Sequence, residues 1–162
     1  MKTLKHGDDL FMGLDSSTQG LKAALIDREL KVVCDVAVNF DKDLPEFKTR
    51  GGVHRHPDGL TVTSPPLLWV AGLDLVLERM KAAGGALDRV AAISGSGQQH
   101  GSVWMKKGAR EMLRKIHPGR PACSLPQVGR AGRPLRDQLA GLFAVADSPV
   151  WMDSSTAQQC RE

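Results

Sequence analysis

Leu10-Phe-Met-Gly-Leu-Asp-Ser-Ser-Thr-Gln-Gly-Leu-Lys-Ala-Ala-Leu-Ile26 is the stretch on which the reading of the whole chain turns. A short apolar run, Leu10–Leu14, stops at Asp15, and Ser16–Gly20 is turn chemistry of hydroxyls, an amide and glycine. Leu21, Ala23 and Leu25 then alternate with their neighbours up to Asp27-Arg28-Glu29. Two extended runs joined by five polar, glycine-containing residues predict a β-hairpin. A second reversal at Asp27–Glu29 and the β-branched run Lys31–Val38 add a third strand, so the chain opens as an antiparallel meander.

Downstream, residues 39–63 hold Pro45, Gly51, Gly52, Pro57 and Gly59 with little periodicity and read as a long loop. A helix follows, with Ser64 as N-cap, Pro65 in the first turn and Gly84-Gly85 as the stop. Trp69, Leu73, Val76, Leu77 and Met80 form its core-facing stripe, with Asp74, Glu78 and Lys81 opposite. Val90–Ile93 is short, apolar and follows a helix, the pattern of a buried parallel strand. Ser102–Met105 reads as a fifth strand, Ala109–Lys115 as one or two helical turns, Leu135–Phe143 as a short helix and Pro149–Asp153 as a last strand. This order predicts an α/β sheet with an antiparallel opening.

Composition narrows the class. Of 162 residues, 41% are hydrophobic and 25% charged, which is globular rather than disordered. The longest strongly apolar stretch, Leu67–Leu77, contains Asp74 and is too short for a membrane span. Met1–Asp9 has no apolar segment of the signal-peptide kind. Cys34, Cys123 and Cys160 are widely spaced with no C-x-x-C pair, which argues against a disulfide scaffold or a structural zinc site. A cytoplasmic domain without membrane partners is expected. The net charge of +4 is unevenly placed. Lys106, Lys107, Arg110, Arg114, Lys115, Arg120, Arg130, Arg133 and Arg136 face only Glu111 between residues 106 and 136. With no aromatic residues interleaved for base stacking, this cluster reads as solvated loop, and no nucleic-acid partner is expected.

Three motifs can carry chemistry. In the first, Asp15 ends a strand beside the turn and can hold Mg²⁺ through water, since hard cations prefer oxygen. The turn's backbone N–H groups, with the Ser17 and Thr18 hydroxyls, can face phosphate oxygens, and Lys22 adds a positive charge. No G-x-x-x-x-G-K-[ST] loop occurs, and an ordinary hairpin turn explains the same residues. In the second, Gly97-Gln98-Gln99-His100-Gly101 follows a strand and offers amides and an imidazole to a polyhydroxylated ligand, although a surface histidine is the commoner outcome. In the third, Trp151 beside Asp153 suits a sugar, ring to C–H face and carboxylate to hydroxyl; a core tryptophan is equally common. His54-Arg55-His56 offers two imidazoles but no evident third metal ligand beyond Asp58. Ser94-Gly95-Ser96-Gly97 is out of register for a serine-hydrolase elbow.

Taken together these motifs resemble the start of an FGGY-family carbohydrate kinase of the eukaryotic xylulokinase type. The hairpin resembles the first phosphate motif of the actin, sugar-kinase and chaperone ATPase superfamily. Four further stretches match the family: Asn39–Phe47, Gly51–His56 with Leu60–Ser64, Ala92–Gly101 and Ser148–Thr156. Residues 10–107 and 135–162 carry the likeness. The resemblance implies a ribonuclease H-like, actin-like ATPase fold and ATP- and Mg²⁺-dependent phosphorylation of D-xylulose to xylulose 5-phosphate. It implies that Asp15 lies near Mg²⁺, that Ser17, Thr18, Gln19 and Lys22 lie near the nucleotide phosphates, and that Gln98, Gln99, His100, Trp151 and Asp153 contact the sugar.

Family members are about three times longer, with a general-base aspartate and an adenosine pocket beyond the matched region. The resemblance thus implies a partial sugar-binding domain over 8–162 without its ATP-binding partner domain, with the base beyond Glu162, inactive alone. The alternative is a non-catalytic pseudokinase fragment that binds sugar or associates with a full-length kinase. Residues 117–134 depart from the family and read as an irregular basic insertion.

Overall fold

A computed structural model describes residues 9–116 and 133–162. The meander forms as its sequence predicts: β1 (Leu10–Ser16), β2 (Gly20–Ile26) and β3 (Val32–Asn39) pair antiparallel in sequence order. Strand alternation divides their side chains between two faces. Leu10, Met12, Leu21, Ala23, Leu25 and Val38 are buried on one face. Gly13, Asp15 and Lys22 lie exposed on the other.

Residues 39–63 are more ordered than the loop their composition predicts. Asn39 caps α1 (Phe40–Asp43) by accepting the Lys42 N–H, while Asp43 accepts the Asn39 N–H in return. A 3-10 turn over Pro45–Phe47 follows, then β4 (His54–Arg55) and β5 (Val62–Ser64). Periodicity misses such short elements because side-chain hydrogen bonds hold them rather than a repeating apolar face.

The predicted helix is α2 (Pro66–Ala82), packed over β2 and β3. Its start lies one residue later than expected. Pro65 takes the N-cap position without a side-chain cap, and Ser64 belongs to β5, its hydroxyl donating to the Gly52 carbonyl at 3.0 Å. Two successive prolines have no N–H to leave unpaired, which lowers the need for a cap. The end is as predicted. Gly84 has φ 85°, its N–H bonds to Lys81 O, and the Gly85 N–H reaches Met80 O, which is a Schellman motif. The buried face is Leu68, Ala71, Gly72, Val76 and Met80. Trp69, Leu73 and Leu77 are only partly buried, so the stripe sits rotated from the expected one. Small residues permit this, because Gly72 lets the Phe40 ring against the helix, where a Cβ would stand 2.8 Å from Phe40 Cε1.

β6 (Val90–Gly97) is parallel to β1, completing a four-stranded sheet in the order β3-β2-β1-β6. The parallel pairing is as predicted, but the burial is not. Ile93 is 64% exposed although its neighbour on the same face, Met12, is 3% exposed, because α2 lies over β2 and β3 and β6 is the edge. The expected fifth strand at Ser102–Met105 reduces to a bridge between Met105 and Phe143. α3 (Ala109–Arg114) occupies the predicted helical turns, and α4 (Leu135–Leu139) is shorter than the helix expected to reach Phe143. β7 (Ser148–Pro149) replaces the strand expected over Pro149–Asp153 and pairs antiparallel with β5 in a second sheet, β4-β5-β7. Val53, Val62 and Val150 form its core. Most of the basic segment 117–134 lies outside the described residues. Among the described residues no helix is long and apolar enough to cross a membrane.

Candidate functional site

The hairpin tip gathers residues from three distant parts of the chain. The Ser17 N–H closes the turn on Gly20 O at 2.9 Å, and the Ser17 hydroxyl donates to the same oxygen at 3.1 Å. Thr18 stands at the apex. Trp151 Nε1–H donates to Thr18 Oγ1 at 3.0 Å, and that hydroxyl donates onward to Gln98 Oε1 at 3.3 Å. The Gln98 N–H bonds to Ser16 O at 2.9 Å, so the loop after β6 is pinned to the end of β1. Parallel pairing of β1 and β6 produces this, because it brings both carboxyl ends to the same edge, where ligands of open α/β sheets gather.

Asp15 and Lys22 are cross-strand neighbours on the exposed face, and Ser96, opposite Asp15 in the parallel ladder, donates its hydroxyl to Asp15 Oδ1 at 3.0 Å. A cleft of about 500 Å³ opens there with Asp15, Lys22 and Asp35 on its walls. A smaller cleft, about 210 Å³, is lined by Ser16, Trp69, Gly97, Gln98, Gly101 and Val103. Ser16 and Gly97 alternate with Asp15 and Ser96, so the two clefts open on opposite faces of the sheet. Trp69 Nε1 is buried without a hydrogen-bond partner among the described residues, a donor left to be satisfied in the wall of the smaller cleft.

Other predicted site residues are placed differently. Gln99 and His100 follow β6 in an exposed loop, His100 with φ 60°. Both carboxylate oxygens of Asp153 are engaged locally: Oδ1 accepts the Val62 N–H at 2.9 Å and Oδ2 the Ser155 hydroxyl at 2.7 Å. His54 sits between Asp147 and the Phe47 carbonyl, and His56 meets the Thr63 hydroxyl, so the two imidazoles have separate partners. No group of three or more His, Cys, Asp or Glu side chains among the described residues is arranged to hold a metal ion.

Sequence reasoning missed Ser96, Trp69, Asp41 and Gly52. Asp41 accepts hydrogen bonds from the Thr49 hydroxyl and the Gly51 and Gly52 amides. Burial pushes its carboxyl pKa up, but these three donors outweigh it and the pKa lies below the ordinary 3.8. The adjacent Gly51-Gly52 pair was the available signal, since consecutive glycines mark a backbone that side chains cannot follow.

No protein-family model matches the chain. Similarity to individual proteins is extensive. The xylulose kinase of Rattus norvegicus is 49% identical over 151 residues, which is 93% of this chain and 26% of that protein. Xylulose kinase 2 of Arabidopsis thaliana is 43% identical over 156 residues, 96% of this chain and 26% of that protein. A Plasmodium falciparum glycerol kinase solved with ADP superposes at a TM-score of 0.50 over 94% of this chain and 22% of its own, at 14% identity, which speaks for the fold alone. The chain thus spans about a quarter of the length of the relatives it matches. Along nearly its whole length this chain is similar to the matching quarter of xylulose kinases, and its fold is similar to that of a glycerol kinase.

Proposed function

We propose that these residues form the sugar- and phosphate-facing part of an ATP-dependent xylulose kinase, a partial sugar-binding domain in which the hairpin turn lies between the two ligands. The observation that carries this reading is the convergence of Trp151, Thr18 and Gln98 at the tip of a hairpin whose two strands present Asp15 and Lys22 side by side. Phosphoryl transfer needs positioning and charge neutralisation more than covalent chemistry, and both are available here. Lys22 and the N–H groups of the turn would draw a phosphate to the open face. The exposed indole face of Trp151 suits the C–H surface of a pentulose, while the Gln98 amide suits its hydroxyls, with Gln99 and His100 on the same loop.

A divalent cation fits as a water-mediated guest of Asp15: a carboxylate with one hydroxyl beside it offers hard oxygen, and Mg²⁺ characteristically keeps several of its waters. With ATP bound, that ion would neutralise phosphate charge. Asp153, turned to Val62 and Ser155, serves the site by holding the Trp151 loop onto β5.

The test is ligand-observed on the protein. D-xylulose is expected to shift the Trp151 indole and Gln98 side-chain NMR signals in the wild type and to lose most of that effect in Thr18→Val. Magnesium pyrophosphate is expected to shift the Thr18 and Gln19 amides, and Asp15→Asn to remove the magnesium dependence. Signals of Trp151 and Gln98 that ignore D-xylulose would sink the sugar assignment.

A further inference from the structure

The Thr18–Gln19 unit is gripped from both sides by one segment of chain that no ligand contact explains. Gly52 packs on the Thr18 carbonyl so closely that a Cβ there would stand 1.8 Å from Thr18 O and 3.2 Å from Gln19 Cα. On the next peptide group, the Phe40 N–H donates to Gln19 O at 3.0 Å, and Phe40 is fully buried. Asp41 joins the two grips. Its Oδ2 accepts the Gly51 N–H at 2.6 Å, and its Oδ1 accepts the Gly52 N–H at 3.0 Å and the Thr49 hydroxyl at 2.7 Å. Gly51 and Gly52 have φ of 65° and 77°, a conformation that side chains resist and that these hydrogen bonds maintain. Ser64 fixes the far side of Gly52 through its carbonyl.

We propose that Asp41 is a positioning residue for phosphate binding: through Gly51 and Gly52 it holds the Ser17–Gln19 turn in its ligand-facing conformation. This rests on the reading of that turn as phosphate-facing. An exposed polar turn fluctuates unless something stiffens it, and a site that works by positioning loses affinity when its donors wander. The glycine pair is the contact, and the carboxylate supplies the rigidity.

Two substitutions and one control test this. In Asp41→Asn an amide N–H₂ replaces one acceptor and faces a backbone N–H. Gly52→Ala drives a methyl into the Thr18 carbonyl. Gly59→Ala, at φ 70° with nothing within 4 Å of an added Cβ, carries the same kind of backbone strain outside the Asp41–Gly51–Gly52 contact and serves as the control. Amide exchange is read at Ser17, Phe40 and Gln98, whose N–H groups bond to Gly20, Gln19 and Ser16 carbonyls. Asp41→Asn and Gly52→Ala are expected to speed it roughly tenfold, with the β2–β3 ladder unchanged and Gly59→Ala like the wild type at these three amides. Affinity for magnesium pyrophosphate, read from the Thr18 and Gln19 amides, is expected to fall about tenfold in the same two variants.

If Asp41→Asn loosens Gly51 and Gly52 but leaves the three turn amides and pyrophosphate affinity as they were, the proposal is wrong, even where Gly52→Ala fails to fold. If the turn loosens while pyrophosphate shifts nothing in the wild type, the mechanical link stands, and the positioning role for phosphate falls together with the phosphate reading.

Discussion

Single residues show where this chain is strained and where its charges are held. Leu30, at the β2–β3 reversal, has φ 62° and is 76% exposed, so it bears a backbone penalty with little burial in return. Leu30→Asn or Leu30→Gly should raise stability by about 1 kcal/mol, read as a higher urea midpoint at unchanged slope. Asp43 is the counter-example, a residue whose charge is useful. Arg79 grips it with two bonds of 2.8 Å. Those bonds, aided by the Asn39 amide and the Arg79 and Lys42 charges and opposed by burial, keep its pKa below the ordinary 3.8. A carboxyl lowered on folding contributes stability that is whole above its unfolded pKa and vanishes as pH falls through the folded one. The protein should therefore lose stability below about pH 4, and Asp43→Asn should flatten that part of a stability-versus-pH curve. An unchanged acid slope in Asp43→Asn would show that other carboxylates carry it. Asp58, drawn down to about 2 by the Thr61 hydroxyl and the Thr61 and Leu60 amides, titrates at the acid end of the same range.

Elements in this protein are joined by residues whose sequence context suggested another role. Asp74 was expected to face solvent on the polar side of α2. Instead its carboxylate accepts the N–H groups of Leu135 and Arg136 at 3.1 and 3.0 Å and caps the start of α4. A helix of five residues has no stability of its own, so this cap and the packing on α2 hold it. Asp74→Ala should cost about 1 kcal/mol locally and speed amide exchange in α4, leaving β2 and β3 untouched. The contact of Gly72 with Phe40 fixes how α2 meets α1. Gly72→Ala should destabilise the fold by about 1–3 kcal/mol despite its better helix propensity, because the buried ring has nowhere to go. A neutral or stabilising result in urea unfolding would mean that the ring yields and propensity decides.

At the scale of the whole molecule, the described residues divide into one well-covered half and one open half. Leu25 and Phe40 are fully buried together with Leu68, Val76 and Met80 of α2, whereas Ile93, Trp104, Met105 and Trp151 are each more than half exposed. Exposed large apolar side chains attract apolar probes. A hydrophobic fluorescent dye is therefore expected to bind the native chain, and Ile93→Lys with Trp104→Lys to reduce that fluorescence without lowering the thermal midpoint. Dye binding that ignores both substitutions would place the exposed surface elsewhere.

The same division separates what was legible from what was not. The meander, the parallel pairing of β6, the Gly84 stop of α2 and the candidate residues Asp15, Thr18, Gln98 and Trp151 follow from alternation, turn chemistry and motif spacing, all of which act within a few residues. The joining of Thr18 to Gln98 and to Trp151, 80 and 133 positions away, does not. Nor do the engagement of Asp153 with Val62, the Asp41–Gly52 support beneath the turn, or the exposure of an apolar edge strand. A strand's alternation says that one face is apolar, but only the placement of α2 says whether that face is covered. A carboxylate's type says that it will accept hydrogen bonds, but only the packed chain decides whose. The sequence by itself determined the local conformations and the chemistry on offer at the hairpin; the tertiary structure alone decided which of those groups meet, because contacts across a sheet depend on register and packing rather than on neighbours in the chain.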